Sequence, residues 1–95
     1  MPKTKVLFRK YDGGKIVALF PRIASSSDSK YCHCYHDAGY HGAEIPEKVI
    51  GATVPANRKE FSKVQRELVK LGYKLRIAAR MHPKDKDYRE RELDV

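Results

Sequence analysis

The residues best suited to chemistry lie close together, between Tyr31 and Gly42. This stretch reads Tyr-Cys-His-Cys-Tyr-His-Asp-Ala-Gly-Tyr-His-Gly, and it contains both cysteines of the chain and three of its four histidines. Thiols and imidazoles bind metals, act as nucleophiles and transfer protons near neutral pH. The stretch therefore has three interpretations: a metal site, a catalytic site and ordinary packing.

A metal site would take its ligands from Cys32, Cys34, His36 and His41. Structural zinc sites usually use two cysteines separated by two to four residues in a tight turn, whereas one residue separates the cysteines here. On an extended strand the two sulfurs are too far apart to share a metal unless the backbone bends. A second ligand pair is missing elsewhere in the chain, so we expect packing, and a metal module is the weakest alternative.

Covalent catalysis would need a thiolate beside an imidazole that a third group orients. Cys32 or Cys34 with His41 and Asp37 would supply these residue types. The sequence has no nucleophile elbow, phosphate-binding loop, paired carboxylates or cofactor fingerprint, and 95 residues leave little room for a substrate cleft. We therefore expect a protein that is not an enzyme and that uses no cofactor.

Two strands that flank a glycine turn must position this stretch. Residues 5–11 and 15–21 are rich in apolar side chains, and Asp12-Gly13-Gly14 between them predicts a hairpin, because glycine adopts the positive φ of tight turns. Apolar residues on both faces of each strand place the hairpin in the middle of a sheet. Residues 31–36 predict a third strand, on which Cys32, Cys34 and His36 face away from Tyr31, His33 and Tyr35.

The second half of the chain predicts one helix between two strands. Residues 48–54 are a candidate fourth strand. Asn57 and Glu60 predict a capping box that starts a helix at Arg58, apolar residues recur at helical spacing up to Leu71, and Gly72 is a typical residue after a helix end. Residues 74–80 alternate between apolar and basic side chains and predict a last strand.

These elements predict one α+β domain over residues 1–81. It contains a small antiparallel sheet of four to five strands with one amphipathic helix on one face, in the order β-β-β-(β)-α-β. Residues 82–95 mix both charges without an apolar stripe, so we expect a flexible tail or a frayed helix.

The charge of the chain is strongly basic. Residues 1–81 carry 16 Lys and Arg against seven Asp and Glu, and the net charge of the whole chain is +8. Apolar runs are far too short to cross a bilayer, the N-terminus lacks a secretory signal pattern, and cysteines two residues apart are poor disulfide partners. We therefore expect a cytoplasmic protein without membrane contact, whose surface could meet a polyanion.

Tyrosines interleave with these cations, as binding of nucleic acid requires. The cations that we expect at a nucleic-acid surface are Arg9, Lys10, Arg66, Lys74, Arg76 and Arg80. Tyr35, Tyr40 and His41 are candidates for a neighbouring contact surface around the Gly39 to Gly42 segment, which we expect to form a turn.

The chain also contains a series of short blocks in a fixed order over residues 5–80. These blocks are Lys5-Val6-Leu7-Phe8-Arg9-Lys10-Tyr11, Ile16 to Pro21, Cys32, Tyr35, Gly39, His41-Gly42, Val49-Ile50, Pro55-Ala56, Glu60-Phe61, Glu67-Leu68 and Gly72-Tyr73. In them the chain resembles a family of small proteins from phages, plasmids and other mobile elements of bacteria, a family without an assigned activity. The resemblance implies a shared fold and a setting in which small proteins bind host or viral macromolecules.

Two noncatalytic functions follow from these observations. The first is a basic protein that binds nucleic acid or a nucleoprotein complex, which charge favours. The second is a protein-binding inhibitor of a host complex, of the anti-defence or anti-CRISPR type, whose binding would depend on an apolar patch and less on salt.

Overall fold

One sheet organises the chain, seen in a computed structural model that describes residues 3–93. In this range the elements are β1 (Thr4–Lys10), β2 (Ile16–Ala24), β3 (Cys32–His36), β4 (Tyr40–Glu44), α1 (Pro46–Ala52), β5 (Val54–Pro55), α2 (Arg58–Lys70), β6 (Leu75–Ile77) and α3 (Lys84–Leu93). The strands lie in the order β4-β3-β2-β1-β5, and β6 pairs with β1 as well. The α+β class is confirmed, with more helices than the sequence predicts.

The predicted hairpin is confirmed. β1 and β2 pair antiparallel, with Leu7 opposite Leu19. In the turn Gly14 has a φ of 90°, and the Tyr11 amide donates to the Lys15 carbonyl at 2.9 Å. The hairpin lies in the middle of the sheet, as expected, because β3 flanks β2 while β5 and β6 flank β1. The sheet is mixed, since β6 runs parallel to β1.

Each face of the sheet carries its own apolar core, because successive strand residues point to opposite sides. On the face that α2 covers, here called the α2 face, the buried residues are Val6, Phe8, Ile16, Ala18, Phe20, Tyr35, Phe61, Val64 and Leu68. On the opposite face, here called the α1 face, they are Leu7, Val17, Leu19, Cys32, Cys34 and Val49 of α1. Helices on both faces explain why the hairpin strands are apolar on both sides.

Helix α2 begins and ends where the sequence predicts. The Asn57 side chain accepts from the Glu60 amide at 2.9 Å, and the Glu60 carboxylate accepts from the Asn57 amide at 2.9 Å. At the other end Gly72 has a φ of 104°, and the Tyr73 amide donates to the Leu68 carbonyl. Both helix ends are satisfied locally, so α2 is a firmly fixed element.

The predicted strand over residues 48–54 is wrong. Pro46 starts helix α1 there, and Val49 packs into the core of the α1 face. Only Val54 and Pro55 pair with β1. The last predicted strand, over residues 74–80, shortens to β6.

The expected flexible tail forms helix α3 as far as Leu93. Asp85 and Arg89 are completely buried, although the helix has no apolar stripe. The Arg89 Nε and Nη1 atoms donate to the carbonyls of Ser29 and Pro21, so the helix packs against the sheet through hydrogen bonds of a buried guanidinium. The folded unit therefore continues beyond residue 81; residues 94 and 95 lie outside the described range. No helix within residues 3–93 has the length and apolar character needed to cross a membrane.

Candidate nucleic-acid interface

The cysteine and histidine residues do not form one centre. Cys32 and Cys34 are buried, free thiols on the α1 face, and the Cys34 sulfur lies 3.5 Å from His36 Nε2. His41 pairs with Tyr35 in the strand register and lies on the α2 face. Among residues 3–93, no group of three or more His, Cys, Asp or Glu side chains is placed to hold a metal ion.

The thiols are also poorly suited to catalysis. Burial raises the pKa of Cys32 to about 12 and that of Cys34 to about 11, so both thiols are protonated at neutral pH. The Asp37 carboxylate accepts from the Ile16 amide at 2.8 Å and does not orient an imidazole. Because His41 lies on the other face of the sheet, the predicted arrangement of a cysteine thiol with His41 and Asp37 is not assembled.

Two of the six predicted binding cations are engaged inside the protein. Arg9 is only 8% exposed, and its guanidinium donates to the Thr53 hydroxyl and to the carbonyls of Ile50 and Thr53 at 2.9 to 3.1 Å. These bonds cap the C-terminal end of α1. Lys10 forms a salt bridge with Glu60. Arg9 therefore has a structural role and leaves the candidate interface, and the charge of Lys10 is already paired.

The other four predicted cations are exposed but do not share one surface. Arg66 lies on α2, while Lys74, Arg76 and Arg80 lie in and around β6. Arg76 pairs with Lys5 in register, which places it on the α1 face, opposite α2. The predicted surface thus separates into a part on α2 and a part on the far sheet edge.

The exposed side of α2 carries a row of cations that the prediction included only in part. Lys59, Lys63, Arg66 and Lys70 are all exposed and follow one another at intervals of four, three and four residues. This spacing aligns side chains along one side of a helix, here over about 16 Å. We call these four residues the basic stripe. The 4-3-4 spacing is the sequence signal that could have identified Lys59, Lys63 and Lys70 as well.

The acidic residues of α2 do not offset this charge. The Glu60 carboxylate accepts from the Asn57 amide at the start of the helix and pairs with Lys10. Glu67 lies beside the hydroxyl of Tyr35, a residue of the sheet core that α2 covers. Among the described residues, no carboxylate forms a salt bridge with any member of the basic stripe. The outer side of α2 is therefore a fixed, unneutralised positive surface.

A group of stacked rings lies at the C-terminal end of α2. Its members, which we call the ring cluster, are Phe20, His33, Tyr35, His41 and Tyr73. Tyr73 stacks on Phe20 with ring centroids 5.0 Å apart, and its hydroxyl lies 3.0 Å from His41 Nε2. The His41 ring stacks on His33 at 4.8 Å and meets Tyr35 edge-on at 4.9 Å.

Most of the ring cluster is uncharged at neutral pH. Burial lowers the pKa of His33, and the neighbouring His41 lowers it further. Burial likewise raises the pKa of the Tyr73 and Tyr35 hydroxyls, and Glu67 adds to the effect at Tyr35. The shifts at His33, Tyr35 and Tyr73 all favour the uncharged form, and Lys70 and Lys74 lie on either side of Tyr73 in the chain.

The expected contact surface of Tyr35, Tyr40 and His41 is not a single surface. Tyr35 is 5% exposed and belongs to the core of the α2 face. Tyr40 is 56% exposed, but it stacks on His36 on the opposite side of the sheet from His41. The expected turn is also shorter: Gly39, with a φ of 98°, forms it, and Gly42 lies within β4 opposite Cys34. Only His41 remains in the candidate interface.

Comparisons of the chain with models of protein families, with curated proteins and with solved structures gave no match. The class that the fold and the site define is a small α+β protein with a basic helix surface.

Proposed function

We propose that this protein is a noncatalytic, nucleic-acid-binding protein that contacts the phosphate backbone through the basic stripe of α2. The observation that carries the proposal is the alignment of Lys59, Lys63, Arg66 and Lys70 on one exposed helix side without carboxylate partners among the described residues. A polyanion with regularly spaced charges is the partner that such a row fits. The resemblance to proteins of mobile elements supports a role in the cytoplasm of a bacterial host, on nucleic acid or a nucleoprotein complex.

The position of the basic stripe favours binding over simple solvation. Phe61, Val64 and Leu68 fix the opposite side of α2 against the sheet, and the capping box fixes its start. The backbone positions that carry the four cations are therefore fixed before a partner arrives, which lowers the entropic cost of binding. If all four cations neutralise phosphates on duplex DNA, the logarithm of the binding constant should fall with the logarithm of salt concentration with a slope of about −3.6.

The test is charge reversal within the basic stripe. The variant K63E/R66E should bind a labelled duplex at least about tenfold more weakly at low salt, and its salt slope should be smaller by about two. Fluorescence anisotropy titrations over a series of NaCl concentrations measure both quantities.

The matched control is K84E/K86E, which changes the net charge by the same amount on exposed positions of α3. If both double variants lose the same affinity, the net charge and not the basic stripe drives binding. No binding by the unchanged protein to DNA or RNA at low salt contradicts the proposal.

A specific observation keeps the protein-binding inhibitor as the second candidate. Val69 and Leu71, near the end of α2, are 55% and 57% exposed. Exposed apolar side chains of this size are common at protein interfaces. A host complex that binds the protein with little dependence on salt would favour this candidate over nucleic acid. In that case V69S/L71S should lose binding of the complex, whereas K63E/R66E should keep it.

A further inference from the structure

We infer that the ring cluster is a stacking site for an unpaired nucleobase, which makes single-stranded nucleic acid the preferred partner. This inference rests on the proposed function, because it assigns the strand type that the basic stripe binds. Its basis is a column of rings that leads from the core to the surface. Phe20 is fully buried, His33 stacks on it at 5.8 Å, and the exposed His41 stacks on His33 at 4.8 Å.

The outermost ring of this column is held in a fixed orientation. One face of His41 lies on His33, Nε2 is bonded to the Tyr73 hydroxyl at 3.0 Å, and Tyr35 supports the ring edge-on. His41 is nevertheless exposed, so part of its ring remains accessible to an incoming base. A flat, oriented, solvent-facing ring is what a base needs for stacking, and its fixed position removes the cost of ordering it on binding.

The ring cluster continues from the basic stripe. Tyr73 comes three residues after Lys70, and its amide is bonded to the Leu68 carbonyl in the last turn of α2. A strand whose phosphates follow the basic stripe would therefore bring a base towards His41 at the end of the helix. In a duplex the bases are stacked on each other and paired, so a single ring on the protein cannot reach them; in a single strand each base is free to stack.

The experiment compares two probes and three variants by fluorescence anisotropy at neutral pH and low salt. The probes are an oligothymidine of about 20 nucleotides and a duplex of the same length. His41→Ala should bind the oligothymidine about five- to hundredfold more weakly, the range that loss of one stacked base produces, and should bind the duplex almost unchanged. His41→Phe should restore binding of the single strand, because the ring face is kept.

Tyr40→Ala is the matched control, since it removes an exposed ring from the other side of the same strand. It should leave both affinities unchanged. Equal binding of the oligothymidine by the wild type and His41→Ala would overturn the inference while leaving the basic stripe as the binding site. Failure of the wild type to bind either probe would overturn the proposed function itself, so the two failures are distinguishable. Circular dichroism melting of each variant identifies any loss of affinity that comes from unfolding.

Discussion

At the scale of single residues, the partners that the fold supplies decide what a charged side chain does. Arg9 and Arg89 are buried, and their guanidinium groups donate to backbone carbonyls. Arg66 has the same chemistry but lies exposed on α2. Because a buried charge is tolerated only when it is paired or hydrogen-bonded, the arginines divide into structural and surface residues. Charge counts along the sequence do not reveal this division.

Asp85 is the buried charge on which the C-terminal part of the fold depends most. Its carboxylate accepts from Lys5 Nζ at 2.7 Å and from Arg22 Nε at 2.9 Å, and Lys5 is only 7% exposed. Asp85→Asn leaves the Lys5 charge without a buried counter-charge, so we expect a loss of about 3 kcal/mol in the free energy of unfolding. Urea titrations at neutral pH measure it, with the exposed Asp87→Asn as the control.

The difference in stability between the wild type and Asp85→Asn should depend on pH, and the pKa of Asp85 gives the direction. Burial by itself raises the pKa of Asp85, but the bonds from the His82 amide, Lys5 and Arg22 outweigh it, so the pKa lies below its ordinary value. The stabilisation is present above the ordinary aspartate pKa of about 3.9 and is lost as the pH falls through the lower folded pKa. The gap between wild type and Asp85→Asn should narrow in acid; a constant gap would contradict this role.

At the scale of elements, local signals predicted the hairpin and α2, and long-range contacts explain the errors. Asn57, Glu60 and Gly72 mark the ends of α2 within the sequence itself. Helix α1 ends on carbonyls that Arg9 caps from a distant strand, and α3 has no apolar stripe because its buried residues are Asp85 and Arg89. Such contacts exist only after the sheet has formed, so no local pattern contains them.

Helix α3 should be able to detach without unfolding of the sheet. Arg89 links it to the Pro21 and Ser29 carbonyls and lies close enough to Cys32 to lower the pKa of that thiol against the effect of burial. Arg89→Met leaves both carbonyls unsatisfied, so α3 should open more often and expose Cys32. Labelling with a thiol reagent, followed by peptide mass spectrometry, should show about tenfold faster modification of Cys32 than in the wild type.

Cys34 reports on the rest of the fold in the same experiment. It is fully buried on the same face of the sheet as Cys32, and it pairs with Gly42 of β4. Its labelling rate should stay close to that of the wild type if only α3 opens. Equal acceleration at both cysteines would show global unfolding instead. Lys86→Met, at an exposed position of α3, serves as the control and should change neither rate.

At the scale of the whole molecule, the sequence predicted a basic protein, and the fold decides where on the molecule the basic side chains lie. The basic stripe could be found from the spacing of Lys59, Lys63, Arg66 and Lys70 once α2 was placed. The ring cluster could not, because its members come from β2, β3, β4 and the turn after α2, and only the sheet order brings them together. The topology places aromatic and imidazole rings at one end of a basic helix. The spacing of the cations alone does not indicate that arrangement, and the spacing of the rings in the sequence does not either.

The net charge of +8 should destabilise the folded state through repulsion, most strongly at low salt. The buried pair of Lys5 and Asp85 is shielded from solvent, so salt should weaken it little. We therefore expect the melting temperature to rise by a few degrees between about 0.02 and 0.3 M NaCl. In K63E/R66E the net charge falls by four, to +4, and removal of neighbouring like charges should make the rise smaller. Scanning fluorimetry measures both series. A melting temperature that falls with salt would contradict this prediction, because it would show that attraction between surface charges outweighs repulsion between the cations.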